Sequence, residues 1–167
     1  MFSKRVRRIL GVALIIIAVP FVSLRVMSSM SKRPNLEVQG GQLPPCPDSP
    51  NCVSSQATDP EHAISAISFA GSPESAMASL RRVIERDRGA TVVSADAHSL
   101  TAEYRSLIFR FVDDVDFIVD ETHNVIHFRS ASRVGYSDRG ANRQRMERIR
   151  EAFQAEQDAA APNNEDA

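Results

Sequence analysis

From Ile9 to Leu24 the chain reads ILGVALIIIAVPFVSL, sixteen residues without a charge and without a polar face. A helix built from them has no side to turn toward water, which argues against a buried core helix. At 1.5 Å per residue the run covers about 24 Å of a hydrocarbon layer roughly 30 Å thick. Snorkelling by Arg25, with Val26 and Met27 beside it, closes the difference. The run suits an uncleaved single-pass anchor better than a cleaved signal peptide. The apolar part of a signal is roughly 7–15 residues long and ends at a small-x-small site, which Val26-x-Ser28 matches poorly. A signal segment over residues 1–33 remains the second reading.

After the run the pattern loses its period. Residues 34–62 hold six of the nine prolines and the pair Gly40–Gly41, the composition of an extended linker. Periodicity returns at residue 63 and predicts a globular domain over 63–155. Ala63–Phe69 alternates as a strand. Ser72-Pro73-Glu74 is a helix start, with a cap hydroxyl, a proline in the first turn and an acid favoured by the dipole. Met77, Leu80 and Ile84 make the apolar stripe of that helix, and Gly89 ends it. Strands follow over Thr91–Ala95, Ser99–Tyr104, Leu107–Asp120 and Val125–Ser132. A last helix, Arg139–Gln157, carries Met146, Ile149 and Phe153 on one side. Residues 156–167 read as a disordered tail. The order predicts an α+β fold: a transmembrane helix, a linker, then a two-layer domain whose mostly antiparallel sheet of about five strands is covered by two helices.

Register can be read in the central hairpin. Phe109, Phe111, Asp113, Val115, Phe117 and Val119 share one face of their strand, and Ile126, Phe128, Ser130 and Ser132 share one face of the next. Joining the two faces needs an even number of loop residues. Asp116 then lies opposite Arg129, Phe117 meets Phe128, and Asp114 sits diagonally between Arg129 and Arg133. Asp114 and Asp116 thus belong to a cross-strand charge ladder, worth a few tenths of a kcal/mol per exposed pair. Alternation aims Asp113 at the core. There it needs donors such as Ser130, Ser132 or an amide near Tyr136, or it serves as an acid of raised pKa at a pocket mouth.

Charge changes the picture more than composition does. The net charge of −1 hides a segregation: residues 1–33 carry seven basic side chains and no acid, leaving thirteen basic against twenty-one acidic groups beyond them. The acidic remainder excludes non-specific nucleic-acid binding. The cluster Lys4–Arg8 ahead of the apolar run places that end in the cytoplasm and the domain on the periplasmic or extracytoplasmic side. Beyond an export segment, Cys46 and Cys52 read first as a local disulfide. Cys-x5-Cys is not a zinc spacing, and no second pair supplies further ligands, so no metal site is expected.

Three blocks carry a resemblance: Cys46-Pro-Asp-Ser-Pro-Asn-Cys52-Val53-Ser54-Ser55, Phe111-Val-Asp-Asp-Val-Asp-Phe117, and the arginine-rich run Arg129–Arg143. Together they resemble the DUF1499 family, a domain of unknown function found in bacteria and plastids, over roughly residues 44–153. The resemblance implies an exported or membrane-attached domain and supplies no reaction.

The third block also has a physical reading. Ser137 or Asp138 can cap the last helix, with Asn142 in its first turn. Arg133, Arg139 and Arg143 can crowd that corner, and Gly135 and Gly140 permit close approach, an arrangement suited to a phosphate, sulfate or carboxylate. The competing reading pairs these arginines with nearby acids, which only fixes the corner. His62, His98, His123 and His127 form no metal or catalytic spacing, and no P-loop, Gly-x-Ser-x-Gly or GxGxxG occurs, so no cofactor is expected. The sequence reads as a membrane-anchored binding or assembly module, more an uncatalytic domain than an enzyme. Its partners are the membrane through Ile9–Leu24 and an anionic small molecule or a membrane protein. A structural role in a membrane complex, or a hydrolase using Asp113, is the alternative.

Overall fold

The apolar N-terminal run folds as one continuous helix, α1 (Lys4–Met30), in the computed structural model, which describes residues 3–34 and 38–160. The Ser3 hydroxyl accepts a hydrogen bond from the Val6 amide and opens the helix. Its large apolar side chains are exposed along nearly the whole length, and it is long and apolar enough to cross a membrane.

Eight elements follow: β1 (Cys52–Ser54), β2 (Ile67–Ser68), α2 (Pro73–Arg86), β3 (Ala90–Ala95), β4 (Ser99–Arg105), β5 (Val112–Asp120), β6 (Val125–Ser132) and α3 (Ala141–Ala160). The strands pair antiparallel in the order β1-β6-β5-β4-β3, with β2 also on β6. The β5–β6 loop has four residues, an even number, so Asp116 pairs with Arg129 and Phe117 with Phe128 as the alternation requires. Helix α2 starts where Ser72 caps the Ser75 amide and Pro73 needs no donor. After its end the chain reverses at Gly89, whose φ is +85° and where a Cβ would stand 2.9 Å from the Arg105 carbonyl oxygen. Only glycine fits both conditions.

Helices α2 and α3 lie against one face of the sheet. Leu80 and Ile84 from α2, Met146, Ile149 and Phe153 from α3, and Phe117 and Phe128 from the sheet form the core between them. Burying an aliphatic or aromatic side chain of this kind contributes about 1.5–3 kcal/mol. Among the described residues no helix covers the opposite face. The chain leaving α1 crosses it instead.

Four expectations change. The apolar run from Leu107 does not enter a strand: β5 begins at Val112, and Arg110, at φ 62°, turns the chain before it. The strand expected over 63–69 shortens to Ile67–Ser68. The stretch 34–62 is not linker throughout, because β1 lies inside it and Leu43, Asn51, Cys52, Val53, Ser54 and His62 are buried. Helix α3 runs on to Ala160, into the segment read as a tail, and residues 161–167 lie outside the described residues.

Candidate functional site

On the uncovered sheet face, alternation along β4, β5 and β6 brings out Thr101, Glu103, Asp114, Asp116 and Arg129, and Arg133 follows just past β6. Arg133 grips Asp114 with two parallel bonds, Nε to Oδ2 at 2.9 Å and Nη2 to Oδ1 at 2.7 Å, and also donates to Glu103. Arg33, arriving from the segment after α1, donates to Asp116 and stands 3.7 Å from Asp114. Thr101 Oγ1 donates to the same Asp116 oxygen at 2.9 Å. Three guanidinium groups (Arg33, Arg129, Arg133) meet three carboxylates (Glu103, Asp114, Asp116).

The ladder was expected at the surface, yet Asp114 is 2% exposed, Asp116 8% and Arg129 6%. Burial changes its energetics, because partners of a buried ion cannot be exchanged for water without cost. Hydrogen bonding to Asp114 holds the Arg133 guanidinium well above its ordinary range, against burial and with help from Glu103. Burial pushes the Glu103 carboxyl up, but Arg133 and Arg105 outweigh it and the net shift is downward. Burial also lowers Arg129, opposed by Asp116 and Asp114 and reinforced by Arg33. Asp116 Oδ2, Arg129 Nε and Arg33 Nη1 have no hydrogen-bond partner among the described residues. Arg33 is the member the sequence concealed, since it lies in the basic segment that reads as membrane flank.

The helix-covered face holds a second polar group. Asp113 points toward α3 and receives a bond from Arg145 Nη2. The serines expected to serve it are engaged elsewhere: Ser130 donates to Asn142 Oδ1 at 2.6 Å, and Ser132 accepts from Asn142 Nδ2 at 3.1 Å. Arg145 Nη1 donates to both Ser130 and Asn142, and its guanidinium lies 4.5 Å from the Tyr104 ring centroid. Tyr104 donates to Asp87 at 3.0 Å, and burial first, then Asp87, raises its pKa strongly. The sequence held a signal for Arg145. It shares the inward side of α3 with Asn142, Met146 and Ile149, where an arginine needs an acid such as Asp113.

The arginines expected at one corner go to three places. Arg133 serves Asp114 and Glu103 on the open face. Arg143 donates to the carbonyls of Ala63 and Glu61, each at 2.9 Å. Arg139 is exposed, at φ 55°. Asn142 is fully buried, bonded through Nδ2 to the Asn51 carbonyl at 2.9 Å, while Asp138 rather than an anion takes the Asn142 amide at 2.7 Å. Cys46 and Cys52 stand at disulfide distance, 2.02 Å between sulfurs. Among the described residues, no three His, Cys, Asp or Glu side chains converge as metal ligands do.

An apolar helix joined to a six-stranded α+β domain, with its trailing segment ion-paired into the sheet, defines a class of helix-tethered sheet domains. The chain belongs to the DUF1499 family of proteins of unknown function, whose match covers residues 42–153 and so includes the disulfide loop, the whole sheet and most of α3. No curated protein matches the chain significantly.

Proposed function

We propose that this chain is a single-pass membrane protein whose domain stands on the extracytoplasmic side as an assembly module, holding its sheet at fixed geometry to the bilayer for a membrane-protein partner. The observation that carries the reading is the clasp between anchor and sheet. Arg33 sits on Asp114 and Asp116, and Arg133 Nη1 reaches back to the Ser31 carbonyl at 3.3 Å, so the chain leaving α1 is bound to the domain. Lys4–Arg8 ahead of the apolar run supports the orientation, and the Cys46–Cys52 pair suits an oxidising compartment. The charge balance of the clasp favours assembly over anion capture, because its arginines already face an equal number of carboxylates. Asp113 is likewise occupied by Arg145, which disfavours a hydrolytic role.

A reporter enzyme fused after Gln157 should be active only outside the cytoplasm, and the protein should resist carbonate extraction. Arg33→Ala should lower stability by about 1.5 kcal/mol, the lower end for a hydrogen bond to a charged group, because Arg33 is half-buried and Asp116 keeps its bond from Thr101. Solubilised in mild detergent, the wild type should migrate as a larger complex that Arg33→Ala loses while keeping its membrane topology. Migration of the wild type as a lone chain would overturn the assembly reading.

A further inference from the structure

Leu107, Ile108 and Phe109 have the apolar character of a core strand, but they form the tip of the β4–β5 loop and run against α1. Leu107 is 80% exposed and Ile108 63%. The Phe109 ring packs on Phe21 of α1 at 5.6 Å between centroids, and Phe111 stacks on Phe109 at 5.5 Å. Arg25 Nη1 donates to the Ile108 carbonyl at 3.1 Å, and the Ser28 hydroxyl donates to the Arg110 carbonyl. Arg25, Arg105 and Arg110 line one groove beside Val22 and Val26.

We propose that this loop inserts into the leaflet on the domain's side of the membrane. Leu107 and Ile108 then lie among the acyl chains, and Arg25, Arg105 and Arg110 face the phosphates of anionic phospholipids. The proposal rests on the reading of α1 as the anchor, and α1 supplies the depth. Arg25 is the first charge after the apolar run, and Phe21 lies one turn, about 6 Å, farther in. A loop that packs on Phe21 and bonds to Arg25 therefore reaches the outermost turn of the span. Lipid is what covers its exposed side chains, because lipid is what covers α1 at the same level.

The backbone is prepared for that medium, where an unpaired carbonyl or amide is costly. The Ser106 amide donates to the Phe111 carbonyl and the Phe111 amide to the Ser106 hydroxyl, both at 2.9 Å, which closes the loop on itself. The carbonyls of Ile108 and Arg110 are taken by α1. Charge agrees, since Tyr104–Val112 contains two arginines and no acid. The carboxylates that flank it in sequence are both engaged, Glu103 by Arg105 and Arg133 and Asp113 by Arg145. Basic side chains beside an apolar wedge are the usual signature of interfacial insertion.

The chain contains no tryptophan, so a single introduced one reports alone. Full-length Leu107→Trp, Ile108→Trp, Val19→Trp in α1 and His123→Trp at the opposite end of the sheet are reconstituted in phosphatidylcholine–phosphatidylglycerol vesicles with brominated acyl chains. Trp at 107 or 108 should emit at shorter wavelength than at 123 and lose most of its emission to bromine, as at 19, whereas 123 keeps its emission. Emission at both 107 and 108 matching 123, with 19 quenched, overturns the proposal while leaving the anchor intact. If 19 is itself unquenched, the anchor reading fails and the insertion with it. Quenching at 107 should fall in phosphatidylcholine alone, and equal quenching in both lipids overturns the arginine–phosphate half.

Discussion

Arg139 and Arg143, four residues apart, do different work. Arg143 joins the start of α3 to the carbonyls of Glu61 and Ala63, which no other side chain among the described residues bonds, whereas Arg139 stands in solvent. Arg143→Ala should therefore cost about 1.5 kcal/mol, the value of a hydrogen bond to a charged group, and Arg139→Ala almost nothing. Thermal melts of both variants, with and without phosphate and sulfate, check this; a wild type stabilised by either anion, with the effect lost in both variants, would refute it. His62 is the residue to watch with pH. Its Nδ1 faces Asp59 at 2.7 Å and its Nε2 the Ser49 carbonyl at 3.2 Å. Both neighbours only accept, so the ring satisfies them together when both nitrogens carry protons. Burial pulls its pKa down, but the bonds to Ser49 and Asp59 outweigh burial and the net shift is upward. A raised folded pKa gives stability that is complete below the unfolded value near 6.5 and is lost as pH rises through the folded one. Wild-type melting temperature should fall as pH rises above about 6.5, and His62→Gln should flatten part of that slope.

At the scale of elements, β1 is a three-residue strand paired with β6 and bridged on its other side only through Ser54 to Ala63 among the described residues, so the Cys46–Cys52 loop beside it matters more than its size suggests. Closing so short a loop contributes about 2 kcal/mol by the chain-entropy estimate. Mild reduction should lower the melting temperature and speed amide exchange first along the β1–β6 pairing, including the Ser132 amide bonded to the Asn51 carbonyl and the Ser55 amide bonded to the Phe128 carbonyl. Uniform exchange across the sheet would refute that order. The elements most legible in the sequence are those with local signals: the Ser72–Pro73 start of α2, the stripe of α3, and the β5–β6 register fixed by Phe117 and Phe128. Two were not legible, for opposite physical reasons. Proline-rich composition hid β1, because a three-residue strand paired with β6 nearly eighty positions away has no period of its own. Apolar alternation overstated β5, because the Phe109–Phe111 faces that suit a sheet also suit the apolar side of α1, and Phe21 of α1 is what takes Phe109. The candidate site was half legible: Asp114, Asp116 and Arg129 followed from register, while Arg33 was hidden among the basic residues that flank α1.

For the whole molecule, the governing feature is that the sheet places its first strand beside its last, with β1 on the outer edge of β6. Local hairpins build β3 through β6 in sequence order, and contacts of this kind form early because little chain entropy stands in their way. The β1–β6 pairing waits for the far end of the chain. During synthesis β1 therefore lacks its partner strand until Val125–Ser132 has been made, and until then only its small covalent loop and the local bond from the Ser54 amide to the His62 carbonyl hold it. The clasp at Arg33 waits as well, since Asp114 and Asp116 arrive more than eighty residues after it. Time, in this protein, runs against position: the segment that follows α1 is translated first and locked last.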